Sequence, residues 1–218
     1  MEYSALKILE HPLATHKLTL LREKCDSTKA RQLIYELGLL LAMEVTRGAK
    51  LAEWQAVDFE GRPFTGALME QWNIVAMPIL RSGMVLSEAF ATVLPSARMG
   101  HIGIHHDYTD SEPAVTYLVS VPSAPDLTDI IIIDSLIGTG ETMLTAVDEL
   151  RDLGIKTEQM CLAVLSVHDQ GLAAFYGEDE NSSIPVYTFE RRSEVDERNL
   201  PIFGFGNTAD RIYGTGEV

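Results

Sequence analysis

Between Ser27 and Gly48 apolar residues return at helical spacing, at Leu33, Ile34, Leu37, Leu40, Leu41 and Val45, with Gly48 as a stop. That period predicts an amphipathic helix packed against a sheet or a partner subunit. Farther along, the pattern turns from periodic to continuous. NIVAMPIL (73–80), RMGHIGIHH (98–106), AVTYLVSVP (114–122), DIIIID (129–134) and QMCLAVLSV (159–167) read as strands. GMVLSEAFATVL (83–94), ended by Pro95, and the stretch from Glu141 to Leu153, ended by Gly154, read as helices. Strands with so little polar alternation have no solvated face, so they belong inside a parallel sheet covered on both sides. The fold class expected is α/β. No repeat, low-complexity tract or linker marks a boundary, and residues 1–218 are read as one domain. Only the stretch after Glu190, rich in Arg, Gly and Asn, departs from the alternation.

Composition narrows the partners. A chain of 218 residues, 46% hydrophobic and 22% charged, can bury a sizeable core. Its formal net charge of −15 repels nucleic acid and anionic membranes, so an anionic ligand must be held locally. The amino terminus has no compact apolar centre and no apolar run reaches the length of a membrane span, which predicts a soluble, cytoplasmic protein. Cys25 and Cys161 lie far apart, one of them inside an apolar run, and no disulfide is expected.

The chemistry concentrates in one turn, IIIIDSLIGTGETMLTA (130–146). A loop that leaves the carboxyl end of a parallel strand and opens a helix aims backbone N–H groups and the helix dipole at one point, which suits a phosphate. Gly138 and Gly140 let the backbone come close, and Thr139 and Thr142 add hydroxyls. Asp134 is placed to accept hydrogen bonds from sugar hydroxyls or to hold a metal through water. Two glycines at a βα turn also have a plainer explanation, since such turns use glycine for geometry alone. Two familiar phosphate loops are excluded by spacing: no lysine follows Gly140 as a Walker loop requires, and Met143 stands where a dinucleotide fingerprint needs Gly or Ala.

HPLATHKLTLLREK near the start, PILRSGM (78–84), PSARMGHIGIHHD (95–107), the loop DSLIGTGET and the tail GFGNTADRIYGT (204–215) resemble uracil phosphoribosyltransferases, and they come in that family's order. The resemblance implies a doubly wound, mostly parallel sheet with helices on both faces, a carboxyl-terminal base-binding hood, and a homodimer or larger homo-oligomer. It implies transfer of the 5-phosphoribosyl group from PRPP to uracil, giving UMP and diphosphate, with Mg²⁺ as cofactor. On the matching positions it assigns catalysis to Arg81, Asp134 and Asn207. PRPP binding falls to Arg81, His106, Asp134, Ser135, Leu136, Ile137, Gly138, Thr139, Gly140, Glu141, Thr142 and Asn207, and uracil binding to Pro201, Gly206, Asn207 and Thr208. Arg81 is physically apt, because a planar cationic fork directly after an apolar strand stands at a cleft rather than on a solvated face.

The departures matter as well. The family pattern D-P-M-L-A-T-G-G-[ST] has Ser135 for Pro, Gly138 for Ala and Glu141 for the second Gly, so a carboxylate stands beside the phosphate cradle. His106 replaces an arginine, Asn207 an aspartate and Val85 a glycine. An alternative is therefore a weakened or inactive paralogue that binds PRPP or UMP and regulates a partner. An RNA-binding regulator has no basic stripe to support it. His101, His105, His106 and Asp107 do not make a metal site, since strand alternation puts His101 and His105 on one face and His106 on the other.

Overall fold

The structure, a computed structural model, describes residues 2–69, 73–105, 114–122 and 129–215. The chain runs β1 (Leu6–Ile8), α1 (Pro12–Arg22), α2 (Ser27–Val45), β2 (Leu51–Val57), β3 (Pro63–Met69), β4 (Ile74–Leu80), α3 (Met84–Val93), β5 (Arg98–Met99), β6 (His101–His105) and β7 (Val115–Ser120). It continues through β8 (Asp129–Ile133), β9 (Leu136–Ile137), α4 (Glu141–Asp152), β10 (Met160–Ala163), β11 (Ser166–His168), α5 (Asp169–Gly177), β12 (Val186–Thr188), β13 (Glu190–Arg192) and α6 (Thr208–Tyr213).

The main sheet has the order β1-β12-β10-β8-β4-β6-β7, with β5 also on β4, and its pairs are parallel except for β6 with β7. The isoleucines of β8 explain why it sits inside. Ile131 and Ile133 join the core beneath α1, α2 and α3, while Ile130 and Ile132 join the core beneath α4 and α5. All four are fully buried, and each is worth about 1.5 to 3 kcal/mol relative to exposure. A strand buried on both faces has no use for polar alternation, which is why the apolar runs were legible. Helix α2 presses on α3 so closely that a Cβ at Gly38 would lie 2.7 Å from that of Ala89.

Two expectations are corrected. The run 159–167 is not one strand: β10 lies in the main sheet, and β11 belongs to a second, three-stranded parallel sheet ordered β13-β11-β9. Strands β8, β10 and β12 all break at the same level and resume on the far side, with Leu165 N donating to Ser135 O and Phe189 N to Leu165 O across the break. Continuous hydrophobicity cannot show such an offset, because both halves are buried. The strand at 114–122 is antiparallel to its neighbour rather than part of the parallel set. Among the described residues no helix is long and apolar enough to cross a membrane.

Candidate active site

The motifs converge at the carboxyl ends of β4 and β8. Strand β8 delivers Asp134 and Ser135, β9 pairs with β11, and Gly138 to Gly140 carry the chain into α4. Gly140 has φ 93°, and a Cβ there would lie 2.8 Å from Gly171 O, so the loop needs glycine for both conformation and space. Gly171, in the first turn of α5, is equally constrained, since its Cβ would lie 2.5 Å from Gly138 O. The loop is thus clamped from behind while the first turn of α4 opens onto it, the arrangement that gathers N–H dipoles for an anion.

Asp134 is only 7% exposed. Burial pushes its carboxyl up to about 6, opposed by hydrogen bonds from Ser82 and from Ser135. The Ser82 hydroxyl donates to Oδ1, and the Ser135 N–H donates to the same oxygen at 2.7 Å. Ser82 reaches it because the turn after β4 lies directly on the end of β8: a Cβ at Gly83 would fall 2.2 Å from Ile133 O.

Arg81 follows β4 with its side chain half-exposed, its guanidinium 3.5 Å from Asp210 Oδ1 and 5.9 Å from the Tyr213 ring centroid. The Tyr213 hydroxyl donates to Arg81 O at 3.2 Å. The peptide between Leu80 and Arg81 is cis. Arg81 is therefore both an ion pair at the cleft rim and a cation open to solvent. The tail closes the site from the other side. A Cβ at Gly138 would meet Phe203 at 3.8 Å and Pro201 at 3.9 Å, so the tail lies on the glycine loop before α4. Arg22 holds the tail, donating to Phe203 O at 3.1 Å, pairing with Glu190 and lying 4.5 Å from the Phe205 ring centroid. Arg211 adds bonds to Phe205 O, Leu21 O and Glu23 O.

The structure lays Gly138 against Pro201 and Phe203, joins Ser82, beside Arg81, to Asp134, and sets α6 against Arg81 through Asp210 and Tyr213; Asn207 and Thr208 stand at the start of that helix, whereas Gly206 lies beside Arg211. Leu136 and Ile137 form β9, with Ile137 packed in the core, so their side chains are occupied by the fold. Asn207 caps α6, its Oδ1 accepting from Asp210 N at 3.2 Å. Thr208 Oγ1 is buried with no protein partner. Glu141 turns sideways, where Oε1 accepts from Ala114 N at 2.9 Å. His106 and Asp107 lie outside the described residues. His101 is half-buried and His105 exposed on β6, and among the described residues no group of three or more His, Cys, Asp or Glu is arranged for a metal.

Sequence reasoning missed Ser82, Asp210, Tyr213, Arg22 and His168. The first four stand inside recognised motifs, with Ser82 directly beside Arg81. His168 is buried, its Nδ1 accepting from Gln170 N at 3.1 Å and its Nε2 facing Glu194 O at 3.0 Å, so the ring supports the strand that leads to the tail. Nothing in a lone apolar-flanked histidine signals that.

A family profile for uracil phosphoribosyltransferase matches residues 8–215. A uracil phosphoribosyltransferase of Legionella pneumophila is 32% identical over 216 residues, covering 99% of this chain and 98% of that protein. Among solved structures, the AQ2163 protein of Aquifex aeolicus superposes with a TM-score of 0.85 at 23% identity, over 98% of this chain and 100% of that one. An adenine phosphoribosyltransferase of Leishmania donovani gives a TM-score of 0.57 at 11% identity, over 89% and 87%. The last two likenesses carry the fold alone.

Proposed function

This chain belongs to the uracil phosphoribosyltransferase family, and from that premise we propose that it transfers the 5-phosphoribosyl group of PRPP to uracil, releasing diphosphate and forming UMP. One observation carries the reading: the tail Pro201 to Phe203 lies against Gly138, so a base seated under the tail adjoins a phosphoribosyl group seated on the loop. In this assignment the backbone of Gly138 to Gly140 and the first turn of α4 take the 5-phosphate, and Asp134 accepts from ribose hydroxyls. Arg81 draws the diphosphate, whose charge grows as the bond to C1 breaks. The tail backbone around Gly206 and the hydroxyl of Thr208 meet the imide edge of the base.

Mg²⁺ belongs to the proposal only as a companion of the diphosphate. No described cluster suits a protein-held ion, and the Asn207 oxygen already accepts from Asp210 N. No step is assigned to it. The alternative of an inactive regulator rests on the substitutions at His106, Ser135, Glu141 and Asn207. Two of them have a local role that leaves the cradle standing, with Glu141 bonded to Ala114 N and Ser135 to Asp134. We place the enzyme in the cytoplasm and assemble it as a homo-oligomer. Support for the latter is the β2–β3 hairpin, where Ala52, Leu68, Trp54, Ala56 and Phe64 share one face in cross-strand register and Trp54, Phe64 and Leu68 are exposed. A two-stranded hairpin with an uncovered apolar face is marginal in water.

The test is purified protein with PRPP and Mg²⁺, offered uracil, adenine, hypoxanthine and orotate in turn, with diphosphate release as the readout. Uracil-dependent release is expected. Release with another base alone, or with none, would overturn the assignment.

A further inference from the structure

We propose that Ser82 is a positioning residue for the transfer reaction: with the Ser135 N–H it holds one oxygen of Asp134 and turns the other toward the ribose of the phosphoribosyl donor. The inference rests on the reading of Asp134 as the ribose contact.

The terminal torsion of an aspartate is soft and roughly two-fold, so packing alone does not aim a carboxylate. Two donors converging on Oδ1 do. The Ser82 hydroxyl comes from the turn after β4 and the Ser135 N–H from the chain beyond Asp134 itself, which fixes the plane of the group from two directions. The Ser135 side chain is a further, weaker hydrogen-bonding influence on the same carboxyl. The second donor is particular to this chain, because the proline of the family's D-P pattern has no N–H to give. Ser82 also stands between Arg81 and Gly83, and Gly83 rests on Ile133 O. One hydroxyl therefore ties the turn that carries the diphosphate-binding arginine to the acid that meets the ribose.

The same bond governs charge. A carboxyl this deeply buried drifts toward its neutral form, and a neutral carboxyl offers the ribose a proton where an acceptor is needed. Burial, Ser82 and Ser135 are the influences acting on Asp134, and no cation is among them. The charged and titratable side chains nearby are committed elsewhere: Arg81 to Asp210 and Tyr213, Glu141 to Ala114 N, His168 to Gln170 N and Glu194 O. Removing the Ser82 donor leaves the ionised form with Ser135 alone, so ionisation of Asp134 moves to higher pH.

The experiment compares Ser82→Ala, Ser82→Cys and Ser82→Thr with the parent enzyme from acid to alkaline pH. For Ser82→Ala, kcat/KM for PRPP falls by about fivefold near pH 6, where one pKa unit takes the carboxyl from about half ionised to about a tenth, and by less than about threefold near pH 8.5. The thiol of Ser82→Cys is a weak donor of similar size and reproduces the alanine profile if alanine fails to fold, while Ser82→Thr keeps the donor and restores the parent profile. In parallel, the Asp134 carboxyl is followed by ¹³C NMR without substrate, its signal assigned by loss in Asp134→Asn, and it titrates at higher pH in Ser82→Ala or Ser82→Cys. A uniform loss at every pH, a parent-like profile in Ser82→Cys, or an unmoved carboxyl titration overturns the proposal. The NMR arm needs no turnover, so an altered titration without transferase activity would instead mean that the assigned reaction is wrong.

Discussion

Asp134 shows how function is placed against stability in a single residue. Burial raises its carboxyl from an ordinary 3.8 to about 6. Between those values the folded protein holds the proton more tightly than the unfolded chain, so this group's contribution is complete below about pH 4 and is lost as pH rises through 6. The full cost at neutral pH is on the order of 3 kcal/mol. Asp134→Asn, neutral at every pH, is expected to match the parent near pH 4 and exceed it by up to about that amount at pH 7.5 in urea titrations, while losing transferase activity. Arg81 has the opposite balance, because half-exposed pairs such as Arg81 with Asp210 are worth at most about 1 kcal/mol. Arg81→Ala should leave the melting temperature within a few degrees yet abolish the rise that PRPP or diphosphate produces. Asp210→Asn should strengthen diphosphate binding by up to about fivefold at low ionic strength, and weaker binding would mean that Asp210 orients Arg81 rather than competing for it.

At the scale of the element, the glycine loop before α4 is a turn whose geometry is set by its neighbours. Gly140 and Gly171 meet backbone to backbone, and the break shared by β8, β10 and β12 creates β9 as the loop's anchor. Glu141 begins α4, where a carboxylate complements the helix dipole by about 0.3 to 1 kcal/mol, and its bond to Ala114 N ties α4 to the start of β7. Charge and tie can be separated. Glu141→Gln keeps the acceptor and removes the charge, so it should tighten PRPP binding by about threefold to tenfold, or about 0.7 to 1.4 kcal/mol. Glu141→Gly also removes the tie and should gain less. Unchanged affinity in titrations of Glu141→Gln at fixed ionic strength would place the carboxylate outside the reach of the bound anion.

For the whole molecule, the hairpin is the part that the two buried cores do not explain. The tail buries Phe203, Phe205 and Ile212 in the core beneath α1, α2 and α3, and Arg22 and Arg211 fix it further through its backbone carbonyls. Among the described residues nothing restrains the apolar face of the hairpin in this way. Trp54→Asp is therefore expected to shift sedimentation toward the monomer at micromolar concentration with the far-ultraviolet circular dichroism unchanged. An unaltered sedimentation coefficient would remove the hairpin from the subunit contact.

The sequence by itself determined the central strands of the sheet, the helices α2, α3 and α4, and the glycine turn before α4, because burial on both faces and a glycine-opened helix leave patterns within a few consecutive residues. Isoleucines 130 to 133 and the Gly138 to Gly140 turn are of this kind. The short strands β1 and β12, the hairpin and the helices α1 and α5 left no such pattern. Motif order extended the reading to Arg81 and the tail. What only the tertiary structure decided is everything set by contact between distant segments: that Ser82 meets Asp134, that Asp210 and Tyr213 meet Arg81, that Glu141 turns to Ala114, and that the run 159–167 is divided between two sheets. A hydroxyl or a carboxylate reads the same in sequence whichever partner it finds, and a buried strand reads the same whichever sheet receives it. Those choices depend on approach distances of a few ångströms between segments far apart along the chain, which local periodicity cannot encode.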